Sequence, residues 1–195
     1  MPVELVLASN NAHKLDEFGR ILQPLGVRLR PLADFPELGD IPETQPTFEG
    51  NALQKARYVF DRTGLPCLAD DSGLEVDALG GAPGVRSKRY TPEATAASNN
   101  RRLLRELRGV DQRAARFVCA LGVVTPKGEA SLRGTVEGAI GDAPRGHHGF
   151  GYDPIFLPDD APGRTMAELS PAEKDAISHR GRAGRRLPEL LERLL

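Results

Sequence analysis

Tryptophan is absent from the 195 residues, cysteine and methionine occur twice each, and aromatic residues make up only 5% of the chain. Cys67 and Cys119 both lie inside apolar runs. Two such cysteines cannot build a disulfide framework or a zinc site, so each reads as a small buried hydrophobe, and a reducing cytoplasm is expected. No run of about 18 apolar residues is available to span a bilayer. The N-terminus lacks a basic segment followed by a long apolar stretch, so a soluble, unprocessed protein with no membrane partner is expected. An excess of charge is missing too: 26 Lys and Arg face 27 Asp and Glu, for a net charge of −1. Apart from Arg180, Arg182, Arg185 and Arg186 the basic residues are dispersed, which is no footprint for nucleic acid. Repeats and low-complexity tracts are absent. So is the Gly-x-x-x-x-Gly-Lys-Ser/Thr loop, which argues against a motor or switch NTPase.

What remains is a 39% hydrophobic chain able to bury a sizeable core, long for one small core and short for two ordinary domains. A single domain over residues 1–195, with two lobes, is the economical organisation. Val3 to Ala8 is a short apolar run of strand type, followed by a helical spacing of Leu15, Phe18, Ile21 and Leu22. Val27 to Leu32 predicts a second strand, and the proline-containing stretch to Pro46 a loop carrying Glu43. Thr47 opens a helix with an apolar face of Phe48, Ala52, Ala56, Val59 and Phe60, which yields at Thr63-Gly64 to a strand ending at Asp70-Asp71. Gly80 to Gly84 is a turn. Thr91-Pro92 has the form of a cap with proline at the first helical position, and Leu103, Leu104 and Leu107 carry that helix to about Gly109. Ala115 to Thr125 and Ala130 to Ile140 flank Pro126-Lys127-Gly128 as a hairpin. Strands alternating with helices, then a hairpin, predict an α/β architecture with a mixed sheet.

Two polar segments carry the chemistry. Ser9-Asn10-Asn11 falls at the first turn or cap of the first helix, where free N–H groups and the positive dipole end attract phosphate, and Lys14 adds a full charge one turn on. Such a triplet alone is commonly only a cap. Asp70-Asp71-Ser72-Gly73 offers two carboxylates at a strand end, a donor set suited to Mg²⁺, which binds through one or two carboxylates plus substrate phosphates. Aspartates in a loop are usually just solvated. Together the segments read as a phosphate grip facing a metal site. Further on, Gly149-Phe150-Gly151-Tyr152-Asp153-Pro154 combines glycines that admit close backbone approach with aromatics able to stack on a base. Ser170-Pro171-Ala172-Glu173 is a helix start, and Lys174 in its first turn gains nothing from the helix dipole, so an anionic partner explains it better. His179-Arg180 ends that helix before Gly181, and His147-His148 reads as loop.

The pattern resembles the inosine triphosphate pyrophosphatase family, which hydrolyses non-canonical purine nucleoside triphosphates. The carriers run in unbroken order from Ser9 to Arg180: Ser9-Asn10-Asn11-x-x-Lys14, Thr47-Phe48-Glu49-Gly50-Asn51-Ala52-x-x-Lys55-Ala56, Ala69-Asp70-Asp71-Ser72-Gly73-Leu74, Gly80-Gly81-Ala82-Pro83-Gly84, Gly149-Phe150-Gly151-Tyr152-Asp153-Pro154 and Ile177-Ser178-His179-Arg180. The resemblance implies a homodimer, an elongated mixed sheet with flanking helices and two lobes around a cleft, and Mg²⁺-dependent hydrolysis of ITP, dITP or XTP to the monophosphate and pyrophosphate. It implies that Ser9, Asn10, Asn11, Ala12, His13 and Lys14 hold the phosphates, that Asp71 serves the metal and the attacking water, and that Glu43 assists the metal. Ser72 and Lys55 line the same region, and Phe150, Gly151, Tyr152, Asp153, Lys174, His179 and Arg180 form the base and sugar pocket. Two alternatives stay open: a pyrophosphatase for other modified triphosphates, and a non-catalytic nucleotide sensor.

Overall fold

The computed structural model describes residues 3–195. Its strands are β1 (Val3–Leu7), β2 (Val27–Pro31), β3 (Cys67–Val76), β4 (Ala114–Thr125), β5 (Gly128–Ile140) and β6 (Phe156–Pro158), and its helices α1 (Ala12–Leu22), α2 (Phe48–Thr63), α3 (Ala96–Glu106), α4 (Pro171–Ile177) and α5 (His179–Leu194). The strands form one sheet in the order β2-β1-β3-β4-β5-β6. β1 runs parallel to β2 and β3, whereas β5 and β6 are antiparallel, so the sheet is mixed as expected. The chain divides into two compact units, one of residues 1–71, 119–134 and 180–195, the other of residues 72–118 and 135–179.

In the first unit the strand period of two sorts side chains onto two faces. Leu5, Leu7, Leu68, Cys119, Leu121 and Val123 pack with Phe18, Ile21 and Leu22 of α1 and Ala183, Leu187, Leu190 and Leu191 of α5. The intervening Val6, Ala8, Cys67, Ala69 and Val124 pack with Ala56 and Val59 of α2. The second unit has its own core of Leu74, Val76, Leu103, Leu107, Phe117, Val136, Ile155 and Phe156 among others.

Three sequence expectations are corrected. β3 does not end at Asp70-Asp71 but continues to Val76, because Leu74 and Val76 bury fully in the second core. α3 starts at Ala96 rather than after Thr91-Pro92: Thr95 caps it through a reciprocal box with Ser98, and Thr91 instead bonds Asn99. His179-Arg180 does not end a helix. α4 stops at Ile177, and His179 opens α5, which runs to Leu194 through Gly181 and Pro188.

Close approach sets one position in the first unit. A Cβ on Gly122 of β4 would lie 2.7 Å from the backbone of Ala52 and Leu53 in α2, and backbone cannot rotate away. Gly122→Ala is therefore expected to lower stability by about 1–3 kcal/mol through overpacking, read as a lower urea midpoint; an unchanged midpoint would mean α2 shifts freely off β4.

Candidate active site

Parallel register brings the polar segments together in the first unit. Leu7 pairs with Leu68, and the Ala8 N–H donates to the Leu68 carbonyl at 2.8 Å, so the chain leaving β1 is level with Ala69 to Asp71. Ligands gather at the carboxyl ends of parallel strands for this reason. Asn11 is the N-cap of α1, its Oδ1 accepting from the N–H groups of His13 and Lys14 at 3.0 and 3.3 Å, while Ser9 Oγ accepts from the Asn11 N–H at 3.2 Å.

Because β3 continues through the two aspartates, they point to opposite faces of the strand. Asp70 turns to the α1 and α5 side, fully buried, with its Oδ2 2.6 Å from Lys14 Nζ and 3.6 Å from Arg180 Nε. Its Oδ1 accepts from the Cys119 thiol at 3.1 Å. Asp71 turns to α2, where Asn51 Nδ2 donates to Oδ2 at 3.0 Å and Lys55 Nζ stands 3.4 Å from Oδ1. Lys55 also donates to Glu43 Oε1 at 2.6 Å and to the Asp70 carbonyl at 2.8 Å. The expectation of two carboxylates acting side by side is thus corrected: only Asp71 shares a partner with Glu43.

Burial pushes the Asp71 carboxyl above the usual carboxylate range; Lys55, Lys14 and the Asn51 amide offset this only in part, and Asp70 adds to it. Burial opposes the Lys55 ammonium, but Asp71 and Glu43 overcome it and raise its pKa. Arg180, at the start of α5, is buried and donates from Nη1 to Glu17 Oε2 of α1 at 3.0 Å.

In the second unit the Asp153 carboxylate organises its own loop. Oδ2 accepts from the Phe150 N–H at 2.9 Å and from Lys174 Nζ at 2.6 Å, and that ammonium lies 5.0 Å from the centre of the Phe150 ring. Gly149 has φ +73°, and a Cβ there would fall 2.0 Å from Asp153 Oδ2, so glycine is required. Asn100 Nδ2 donates to the Gly151 carbonyl at 3.1 Å and the Tyr152 hydroxyl to the Ser87 carbonyl at 2.8 Å. His179 is buried and stacks on Phe117 with ring centres 4.9 Å apart. The anion that explains Lys174 is therefore, in this structure, the protein's own Asp153. Ser72 follows Asp71 in β3, partly buried, and the rings of His147 and His148 pack on each other.

Among the described residues no group of three His, Cys, Asp or Glu is placed to hold a metal by itself. Glu43 and Asp71 nonetheless both reach the single ammonium of Lys55, so one cation can touch both. Two carboxylates that leave room for phosphate oxygens fit a hard divalent ion such as Mg²⁺, which rarely takes an all-protein cage.

The Ham1 family pattern matches residues 5–190. The chain belongs to the Ham1 family. It is 52% identical to a dITP/XTP pyrophosphatase of Mycolicibacterium paratuberculosis, over 97% of this chain and 96% of that one. It is 49% identical to a protein of the same description from Geobacillus kaustophilus, over 98% and 96%. Its fold is similar to the structure of a HAM1 protein from Coxiella burnetii, with a TM-score of 0.85 and 44% identity over 98% of this chain and 99% of that one.

Two residues of this Ham1 chain, Glu17 and Cys119, lie outside every motif, and a third, Asn51, lies inside one without a role read from it. Asn51 lies four residues before Lys55, one helical turn, and both are buried on α2. Polar groups at that spacing on an apolar face were the available signal. Glu17 and Cys119 carried none, since each meets its partner only through the fold.

Asp71→Asn should fold, keep the Asn51 contact through its remaining carbonyl oxygen, and lose about 100-fold or more in kcat, the scale of a lost general base. In the wild type a base with a raised pKa must shed its proton before it works, so the acidic limb of kcat/KM against pH should lie above the ordinary carboxylate range. A limb at the usual carboxylate pKa, or near-normal turnover of the variant, would remove Asp71 from that role. Lys174→Met strands the buried Asp153 charge and should cost about 3–5 kcal/mol, measured by urea unfolding; unchanged stability would mean that the pair does not anchor the loop.

Proposed function

We propose that this Ham1-family chain hydrolyses non-canonical purine nucleoside triphosphates (ITP, dITP and XTP) to the monophosphate and pyrophosphate, with Mg²⁺, as a cytoplasmic homodimer. The observation that carries the proposal is Asp71: a buried carboxylate with a raised pKa, oriented by Asn51 and set beside Lys55 and Glu43, within β3 and level with the chain that leaves β1 for α1. The names of the similar bacterial proteins support the substrate class. Two buried cysteines outside any disulfide agree with a reducing cytoplasm, and among the described residues no helix is long and apolar enough to cross a membrane.

In the reaction, Asp71 orients a water toward the α-phosphorus and takes its proton as the new P–O bond forms. The bond from that phosphorus to the bridging oxygen breaks, and pyrophosphate leaves. Lys14, with Ser9 to His13 at the start of α1, receives the phosphate oxygens and the charge that gathers on the departing group. Positioning and charge stabilisation of this kind dominate phosphoryl transfer. Mg²⁺ held by Asp71 and Glu43 would supply further neutralisation of the phosphates. The need is electrostatic: the first-unit cluster sets Lys14, Lys55 and Arg180 against Glu17, Glu43, Asp70 and Asp71, three cations to four carboxylates, and a triphosphate adds more negative charge. A nucleotide sensor would gain nothing from those acids, which favours hydrolysis. Pyrophosphate release from a panel of triphosphates, with and without Mg²⁺, separates the two; binding without release would make the chain a sensor.

Base choice is assigned to Arg180. Hypoxanthine and xanthine present an oxygen at C6 where adenine presents an amine, and a guanidinium has only donors. A mismatched donor pair costs about 1–3 kcal/mol, roughly 5- to 150-fold. ITP and XTP should therefore exceed ATP in kcat/KM, and Arg180→Ala should narrow the ITP-to-ATP ratio. If both substrates fall equally, Arg180 serves the carboxylates Glu17 and Asp70 and reads no base.

A further inference from the structure

Lys14 is the more accessible of the two cations at Asp70, its side chain 15% accessible against 5% for Arg180, while the Asp70 side chain is at 0%. If Lys14 is to meet phosphate, as the proposed function has it, the ammonium must loosen its 2.6 Å contact with Asp70. That carboxylate cannot follow it. The Asp70 main chain is fixed in β3 and its carbonyl is held by Lys55 Nζ at 2.8 Å. Drawing the ammonium away takes the closest cation from a carboxylate in a dry site and leaves Arg180 Nε 3.6 Å from the same oxygen, so the resting pair resists opening.

Cys119 bears on this cost. Its Sγ lies 3.1 Å from Asp70 Oδ1, on the oxygen that Lys14 does not use, and the residue is fully buried. An ionised carboxylate has no hydrogen to give, so the thiol is the donor. β4 places Cys119 on the sheet face it shares with Leu68 and Leu121, the face to which Asp70 turns. Arg180 Nε stands 3.6 Å from Oδ2, the oxygen that Lys14 uses.

We propose that Cys119 is a positioning residue for Lys14: its thiol fixes the Asp70 carboxylate through Oδ1 and keeps a donor on it while Lys14 transfers from Oδ2 to a substrate phosphate. The inference rests on Lys14 being a phosphate ligand, and its consequences fall on substrate capture rather than on the chemical step.

Steady-state kinetics with ITP and thermal melts are measured for the wild type, Cys119→Ala, Cys119→Ser, Lys14→Ala and the double variant Cys119→Ala/Lys14→Ala. Cys119→Ala should raise KM about 3- to 10-fold, the worth of one modest hydrogen bond, with kcat unchanged. Cys119→Ser keeps a donor and should restore KM to near the wild-type value. In the Lys14→Ala background, Cys119→Ala should add nothing to KM. The proposal is overturned if Cys119→Ala lowers the melting temperature while KM stays put, if the serine variant is as impaired as the alanine one, or if the effect persists without Lys14. Lys14→Ala with a normal KM would overturn the phosphate role itself, and the proposal with it; Lys14→Ala with a raised KM beside a normal Cys119→Ala overturns the proposal alone.

Discussion

The site depends on a strand that refuses to stop. Had β3 ended before Asp70, the two aspartates would sit in a loop with both carboxylates free to turn to one ion. Continuing to Val76 imposes the pleat on them, and consecutive side chains leave on opposite faces. Asp70 is committed to the side of α1 and α5, Asp71 to the side of α2. One residue of register would exchange their partners, placing the carboxyl with the raised pKa against Lys14 and the fully buried one against Asn51 and Lys55. The hydrophobic alternation of Leu68 and Ala69 before them, and of Leu74 and Val76 after, prevents that slip because both flanks are buried.

From this split follow two different electrostatic jobs. Asp70 is out of water and meets Lys14, Arg180 and the Cys119 thiol, so it serves as an internal counterion. Asp71 is nearly as buried, yet burial outweighs Lys55, Lys14 and Asn51, and its carboxyl holds a proton more readily than an ordinary one.

How far the sequence reveals this is uneven, and for identifiable reasons. β1, α1, α2 and the β4–β5 pair are legible because each carries a clean period and an ordinary start or stop, such as Asn11 before α1 and Gly64 after α2. The aspartates mislead because two adjacent charges look like the end of a strand, and only Leu74 and Val76 further on show that burial resumes. α5 is obscured by Gly181, Gly184 and Pro188, which read as breakers. In the folded first unit, a Cβ on Gly184 would fall 2.5 Å from Ile21 Cγ2, so that glycine lets α5 lie close against α1 rather than ending the helix. The stripe of Ala183, Leu187, Leu190 and Leu191 was the surviving signal. The positions of Ser9, Asn11, Lys14, Asn51, Lys55, Asp70, Asp71 and Arg180 could be picked from motifs, but Glu17, which meets Arg180, and Cys119, which meets Asp70, are brought in only by the fold.

Both lysines singled out for a ligand, Lys14 and Lys174, prove to have carboxylates of the protein at 2.6 Å. A buried ammonium cannot wait unpaired for a substrate, because desolvation without a counterion would cost more than the fold can spare. A site for a polyanion must therefore rest on its own anions, and ligand capture is an exchange of one anion for another. For Lys14 the proposed exchange leaves Asp70 with the Cys119 thiol on its other oxygen. Lys174 differs: it and the Phe150 N–H meet the same oxygen of Asp153, so that pair anchors its loop, whereas Asp70 is held at both oxygens and keeps its place from the Cys119 side.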